Sequence, residues 1–457
     1  MGKGYKISKN LGVGTVAETY LATSPDGKEV CLKIIKDGIT QEKILKDKEA
    51  FIDIIKKLEK TPDEKDYLIR NIEDLSNGII KEVDLQNEMN AARELAKYTK
   101  SAKVVKPIDV KNGVYIMEKA DGVSLESFVK MNNLQYYKAC YEKRLAKAET
   151  KIQIESYQRQ LNQINEEINK LSQKMPAFKD LNLSDKDAMY MFEEYVKVLT
   201  ELFYKIDKNS KILHADIHPG NIFIDVEALK AKKGKVFTLI DTGNTINLSK
   251  EQALRSIQLS QYINRGDAVD IAEYMLDGAN LAQSGLTKEQ AMKKIVEELE
   301  KRFYDNKTEL GQMTNDKMFD MVTGIMKQNK IIPASNQLNL EKAKHSAANS
   351  YDEFVNMWFD KADSKIATAL ESKGKVATAG ATISMGKDLL KILRLYEKSQ
   401  AKQQKLNTML LSPAERIKFT DKNSNIPALN SEKYLTYKLK QKIKDKRMVD
   451  MMKKSNQ

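Results

Sequence analysis

Asp216, Asn221 and Asp241 have the residue types and the spacing to hold a metal ion and activate a nucleophile. They lie in the stretch KILHADIHPGNIFIDVEALKAKKGKVFTLIDTGN, where Asp216 and Asn221 are five apart and Asp241 closes the apolar run FTLI. The order D-x-x-x-x-N, strand, D-x-G suits phosphoryl transfer. One carboxylate, Asp216, would sit beside the attacking hydroxyl or water. The second, Asp241, would join the Asn221 amide oxygen in holding magnesium against the phosphates. Asp and Asn also favour tight bends, so a plain turn is the competing explanation. The N-terminal part of the chain argues against it by supplying a matching half-site.

That half begins with Tyr5 to Ile35, which reads as strand, glycine loop, strand, turn, strand. In LGVGTVAETYLA, Gly12, Val13, Gly14, Thr15 and Ala17 form a small-residue loop whose backbone N–H groups suit phosphates. Asp26-Gly27 marks the next turn. The strand VCLKII then buries one charge, Lys33. A lysine in an apolar strand is costly unless paired, and with the loop upstream it reads as the phosphate-gripping lysine. Glu88 is its expected partner, on a helix Ile79 to Tyr98 that also carries Asp84 one turn earlier. Two strands around Asn112-Gly113 lead to a connector at Glu118, where a two-lobed kinase would have its hinge and present backbone groups to adenine.

The elements that must position these residues are mostly helical. Gln41 to Lys60 and Glu64 to Asn77 show amphipathic spacing on either side of Thr61-Pro62-Asp63, and Gly78 precedes the Glu88 helix. Between Asn133 and Lys174, Ile154, Tyr157, Leu161, Ile164, Ile168, Leu171 and Met175 alternate by three and four, a coiled-coil-like seam. It suits a projecting arm or a helix closed on its neighbour. Leu183 to Asp207 leads into the catalytic stretch. Helices follow at 248–265, 268–277, 287–304 and 316–328. Ile332-Pro333 marks a joint, and a further segment, 338–361, contains Trp358. The fold class is therefore α+β, with an N-lobe over 1–118, a helical C-lobe over 119–400 that includes the 133–175 insertion, and a basic tail over 401–457.

Composition bounds the function. Of a formal net charge of +13, the tail from Ala401 carries +9, so basicity says little about the catalytic body. The tail's last helix has a modest apolar face and suits peripheral contact with anionic membrane, with a solvated tail as the plain alternative. Nucleic acid is not an expected partner. Cys31 and Cys140 are too few for a disulfide framework or a zinc site, and suit a reducing compartment. No secretory signal and no run of about 18 apolar residues occurs, so a cytoplasmic location is expected.

Together these residues resemble the UbiB (aarF-type) atypical kinase-like family. HADIHPGN is similar to the family's H-A-D-x-H-P-G-N, and KEVDLQNEMNAARE to its E-x-D helix, with Glu82 and Asp84 at the acidic positions and Glu88 at the lysine-pairing one. TVAETYLATSPDGKEVCLKIIKDGI resembles the loop-to-lysine segment. The resemblance spans about residues 12 to 360. It implies a two-lobed kinase-like fold binding ATP and magnesium, Mg-dependent ATP hydrolysis or phosphoryl transfer, and a role in ubiquinone or lipid metabolism. It also implies that Asp84 reaches metal or phosphates. The chain departs from the family pattern in keeping Gly12 and Gly14, in Asp241-Thr242-Gly243 where Asp-Phe-Gly is usual, and in starting too close to the loop for the K-x-G-Q segment. An uncovered site of that kind would admit a larger acceptor, such as a protein. Two further roles follow: a protein kinase delivered into another cell, or a nucleotide-gated binding module.

Overall fold

The structure is a computed structural model that describes residues 4–174, 184–205, 210–265, 267–305, 315–334, 337–344, 346–347 and scattered positions between 398 and 409. Trp358, Met175 and nearly all of the basic tail lie outside the described residues. The fold is mixed α+β and kinase-like. One compact unit takes the described residues up to Val198 together with Ile212–Thr245. The described residues of Leu199–Lys211 and Ile246–His345 belong to a second.

The strands are β1 (Lys6–Val13), β2 (Ala17–Thr23), β3 (Glu29–Ile35), β4 (Lys103–Val104), β5 (Pro107–Lys111), β6 (Val114–Glu118), β7 (Val123–Ser124), β8 (Ser210–His214), β9 (Ile222–Ile224), β10 (Phe237–Leu239) and β11 (Thr245–Ser249). Two sheets shape the first unit. The larger runs β1-β2-β3-β6-β5, with all neighbours antiparallel. Its β5–β6 hairpin turns at Asn112 (φ 52°) and Gly113 (φ 71°), the left-handed pair that a two-residue hairpin favours. The smaller runs β4-β10-β9-β7. One side of the larger sheet buries Cys31, Tyr115 and Met117 against Leu85 and Met89; the other buries Ala22, Val30, Leu32 and Ile116. This is the period-two alternation of a sheet covered on both faces.

Helices α1 (Gln41–Lys57) and α2 (Pro62–Val83) pack against each other between β3 and α3 (Leu85–Tyr98). Thr61 starts α2 with a reciprocal capping box to Glu64. The helix runs through Gly78, where sequence spacing predicted a start, and stops instead at Asp84. That residue leaves helical geometry (φ −84°, ψ 77°) and accepts the Asn87 N–H with its own carboxylate. A glycine inside a helix costs only about 1 kcal/mol, whereas an aspartate at an N-cap satisfies an otherwise orphaned donor.

Helix α4 (Leu125–Ala146) begins eight residues before the expected insertion and folds back through residues 147–150 into α5 (Lys151–Lys174). Leu161 and Ile164 are buried. Tyr141 and Tyr157 meet with ring centroids 6.1 Å apart, and Lys130 pairs with Glu167 at 2.9 Å. The seam thus closes on α4 as a helical hairpin, leaving Ile152 and Ile154 exposed. Helix α6 (Asp185–Tyr204) precedes the catalytic segment, and α7 (Val226–Ala231) lies between β9 and β10. The second unit centres on α8 (Lys250–Arg265), α9 (Ala268–Leu276), α10 (Lys288–Asp305) and α11 (Asn315–Gln328), whose core includes Ile271, Ile295, Leu299 and Ile325. No helix among the described residues is long and apolar enough to cross a membrane.

Candidate active site

Lys33 sits mid-strand on β3, opposite Thr19 of β2 and Tyr115 of β6. Its ammonium is 2.8 and 3.0 Å from the two carboxylate oxygens of Glu88 and 2.9 Å from Asp241 Oδ1. The Lys33 side chain is 13% exposed and that of Glu88 2%, so this is a desolvated ion pair; Asp241, at 48%, faces outward. Burial works against the Lys33 charge, but Glu88 and Asp241 outweigh it and hold the ammonium above its usual range. Burial pushes the Glu88 carboxyl up to about 7 against the pull of Lys33, with repulsion from Asp241 and Glu82 adding to it. Burial likewise opposes ionisation of Asp241, yet Lys33 keeps its carboxyl below the usual range.

The segment from His214 to Asn221 is held by its own side chains. Buried His214 places Nε2 2.8 Å from the Ile240 carbonyl, and its Nδ1 accepts the Asp216 N–H at 3.2 Å. Those partners fix the neutral tautomer with the proton on Nε2, and burial holds the imidazole below its usual pKa. His218 accepts the Gly220 N–H through Nδ1 at 3.1 Å, so it caps the one-turn 3-10 helix Pro219–Asn221. Its Nε2 is 3.8 Å from Asp216 Oδ2.

Asn221 is buried, and its amide nitrogen donates to the Asp216 carbonyl at 3.0 Å and towards Oδ2 at 3.4 Å. With the nitrogen committed, the amide oxygen is left as a donor to the site. Pairing of Ile222 with Leu239 and the Ile240 N–H to Asn221 C=O bond at 3.0 Å put Asn221 and Asp241 at one end of the β9–β10 ladder. Asp241 adopts φ 53°, a strained geometry for a non-glycine residue and common at functional sites.

Among the described residues, no three His, Cys, Asp or Glu side chains converge on one point that could hold a metal. The Asn221 amide oxygen and the Asp241 carboxylate are nevertheless hard oxygen donors. They suit magnesium, which takes one or two protein ligands and completes its shell with phosphates and water.

The two acidic residues of the E-x-D segment part company. Asp84 is exposed and its side chain serves the α3 cap. Glu82, exposed in the last turn of α2, has its carboxyl raised, by partial desolvation first and then by Asp241 and Asp216, while Lys33 lowers it. Glu82 therefore shares the electrostatics of the site.

In the glycine hairpin, Gly12 and Val13 lie inside β1, opposite Thr19 and Glu18. Thr15 lies at the tip, and the Gly14 N–H is used by the Ala17 carbonyl at 2.8 Å. A β-carbon on Gly12 would meet no atom within 4 Å, so no contact in this conformation demands a glycine there. Glu118 ends β6. Its N–H donates to the Lys106 carbonyl at 2.9 Å, and its side chain pairs with Lys106 at 3.0 Å. Sequence reasoning missed Thr242. This fully buried residue sends its hydroxyl to the Glu88 carbonyl at 3.2 Å. Its place beside Asp241, where a bulkier aromatic was the reference, was the available signal.

The chain matches the model of the ABC1 atypical kinase-like domain over residues 7–161 and 174–275, more than half of its length, and it belongs to that family. No curated protein matches. Among solved structures it is similar to the erythromycin complex of Rv3197 from Mycobacterium tuberculosis. That pair is 12% identical, covers 76% of this chain and 74% of the other, and has a TM-score of 0.38.

Proposed function

We propose that the protein binds Mg-ATP and catalyses magnesium-dependent ATP hydrolysis or phosphoryl transfer. The observation that carries this reading is the Lys33 ammonium held between Glu88 and Asp241 at 2.8–3.0 Å, with Asn221 bonded to Asp216 nearby. Lys33 offers its charge to the phosphates, and Glu88 keeps it oriented. Asn221 and Asp241 would hold magnesium, which when bound neutralises charge on the phosphate oxygens. Asp216 orients the attacking hydroxyl or water and takes its proton. Glu82 adds a fourth carboxyl beside Glu88, Asp241 and Asp216 and favours a cationic occupant there.

The acceptor in this reading is a lipid-pathway molecule or a protein. The basic tail would bring the chain to an anionic membrane. Phosphate release measured with and without magnesium, on the wild type and on Asp216→Asn, tests the activity. Magnesium-dependent turnover that falls about 100-fold or more in the variant is the expected result. Turnover unchanged by Asp216→Asn would remove that residue from its role. Thermal stabilisation by Mg-ATP without any turnover would make the protein a nucleotide-gated binding module instead.

A further inference from the structure

The outer side of α3, away from the Glu88 ion pair, borders a groove of about 850 Å³ within the first unit. Volumes of that size fit small ligands. Its floor includes Val104, Val105 and Pro107, and five cations line it: Arg93, Lys97, Lys103, Lys106 and Lys235. Among the described residues of the lining, two are acidic, Glu94 and Glu118.

Those acids occupy two of the lysines through exposed pairs, Glu94 with Lys97 and Glu118 with Lys106. Exposed pairs of this kind are worth about 0–1 kcal/mol, so a multiply charged anion displaces them readily. Lys103 pairs with Asp225 from outside the lining. Lys235 donates to the Ala102 carbonyl at 2.9 Å and towards that of Thr99 at 3.4 Å, which fixes the ammonium while leaving its charge uncancelled. Arg93 is exposed and has no ion-pair partner among the described residues. Its planar fork of donors is the group best matched to phosphate oxygens.

The groove also touches the machinery behind it. Val105 packs in the cluster that holds Tyr115, Met89 and Met117, and Tyr115 is the cross-strand neighbour of Lys33. The Tyr115 hydroxyl is buried with no hydrogen-bond partner among the described residues. We infer that this groove is a second binding site, separate from the nucleotide site, for a small molecule bearing two or more phosphate groups. The inference does not depend on catalysis: apart from Glu118, whose backbone the connector would offer to adenine, the groove is lined by residues outside the nucleotide site.

The test is isothermal titration of the full-length protein with inositol hexakisphosphate, a polyphosphate without a nucleobase, at about 150 mM salt so that diffuse attraction is screened. Four proteins are compared: wild type, the double variant Arg93→Ala with Lys97→Ala, the tail variant Lys442→Ala with Lys444→Ala, and Lys33→Met. Saturable binding by the wild type, weakened tenfold or more in the groove variant and unchanged within twofold in the other two, is the expected result. Absence of binding by the wild type overturns the inference, as does a groove variant that binds like the wild type. An equal loss in the tail variant would place the probe on the tail, and an equal loss in Lys33→Met would place it in the nucleotide site. Either result also overturns the inference. Arg93 and Lys97 are exposed helix positions, so alanine there leaves the fold intact, which a matched melting temperature verifies.

Discussion

The Thr242 hydroxyl donates to the main-chain carbonyl of Glu88 across 3.2 Å in a fully buried setting. One residue therefore ties Asp241, its neighbour in the chain, to the helix whose Glu88 pairs with Lys33. Thr242→Val removes the bond but keeps the shape. A loss of about 1 kcal/mol, a little over fivefold in kcat/KM for ATP, is expected, with Thr242→Ser restoring most of it. Steady-state kinetics on the two variants check this, and equal activity of Thr242→Val and wild type would refute it.

Turnover should fall on the acid side of neutrality. The Glu88 carboxyl is raised to about 7, so protons bind it in the folded state at pH values where the unfolded chain has lost them. Its contribution to stability is full below the ordinary carboxylate value and is lost as pH rises through about 7. Activity runs the opposite way, because only the charged form holds Lys33. The expected profile of kcat/KM rises through about pH 7 and then levels. Glu88→Gln should lower the plateau and abolish the acid limb.

His214 predicts a separate stability effect. Its folded pKa lies below 6.5, so the unfolded chain takes up a proton first as pH falls. Stability should decline from about pH 6.5 downward. Urea unfolding at several pH values would show this slope, and His214→Gln should flatten it while lowering stability at neutral pH.

Gly122 tests the connector that enters α4. Its φ is +88°, and a β-carbon there would run into the Ile224 carbonyl. Gly122→Ala should cost more than about 2 kcal/mol and depress the melting temperature. A variant as stable as the wild type would mean that β7 and β9 can separate without penalty.

The convergence of Lys33, Glu88 and Asp241, and the Asp216–Asn221 contact, were legible because such side chains are costly unpaired: a lysine inside an apolar strand, or carboxylates set around an amide at fixed spacing. The strands around Asp26-Gly27 and Asn112-Gly113 were legible from their turns. The capping role of Asp84 was not. It depends on where α2 stops, and a cap at Asp84 is decided by backbone angles that spacing does not reveal. The seam through Leu161 and Ile164 fits a free coiled coil or a closed hairpin equally well, since both bury the same stripe. The cationic groove was hidden because its residues come from α3, β4 and the approach to β10, distant in the chain.

Asn221 and Asp241 both lie at the open end of the β9–β10 ladder, while the chain that joins the strands leaves from the opposite end through α7 and a turn at Gly234 (φ +86°), where a β-carbon would meet nothing within 4 Å. The separation of the two oxygen donors is consequently set by main-chain pairing and is indifferent to what is attached at that turn. A short peptide tag or fluorescent label inserted beside Gly234 should report on the Asn221–Asp241 region without disturbing it.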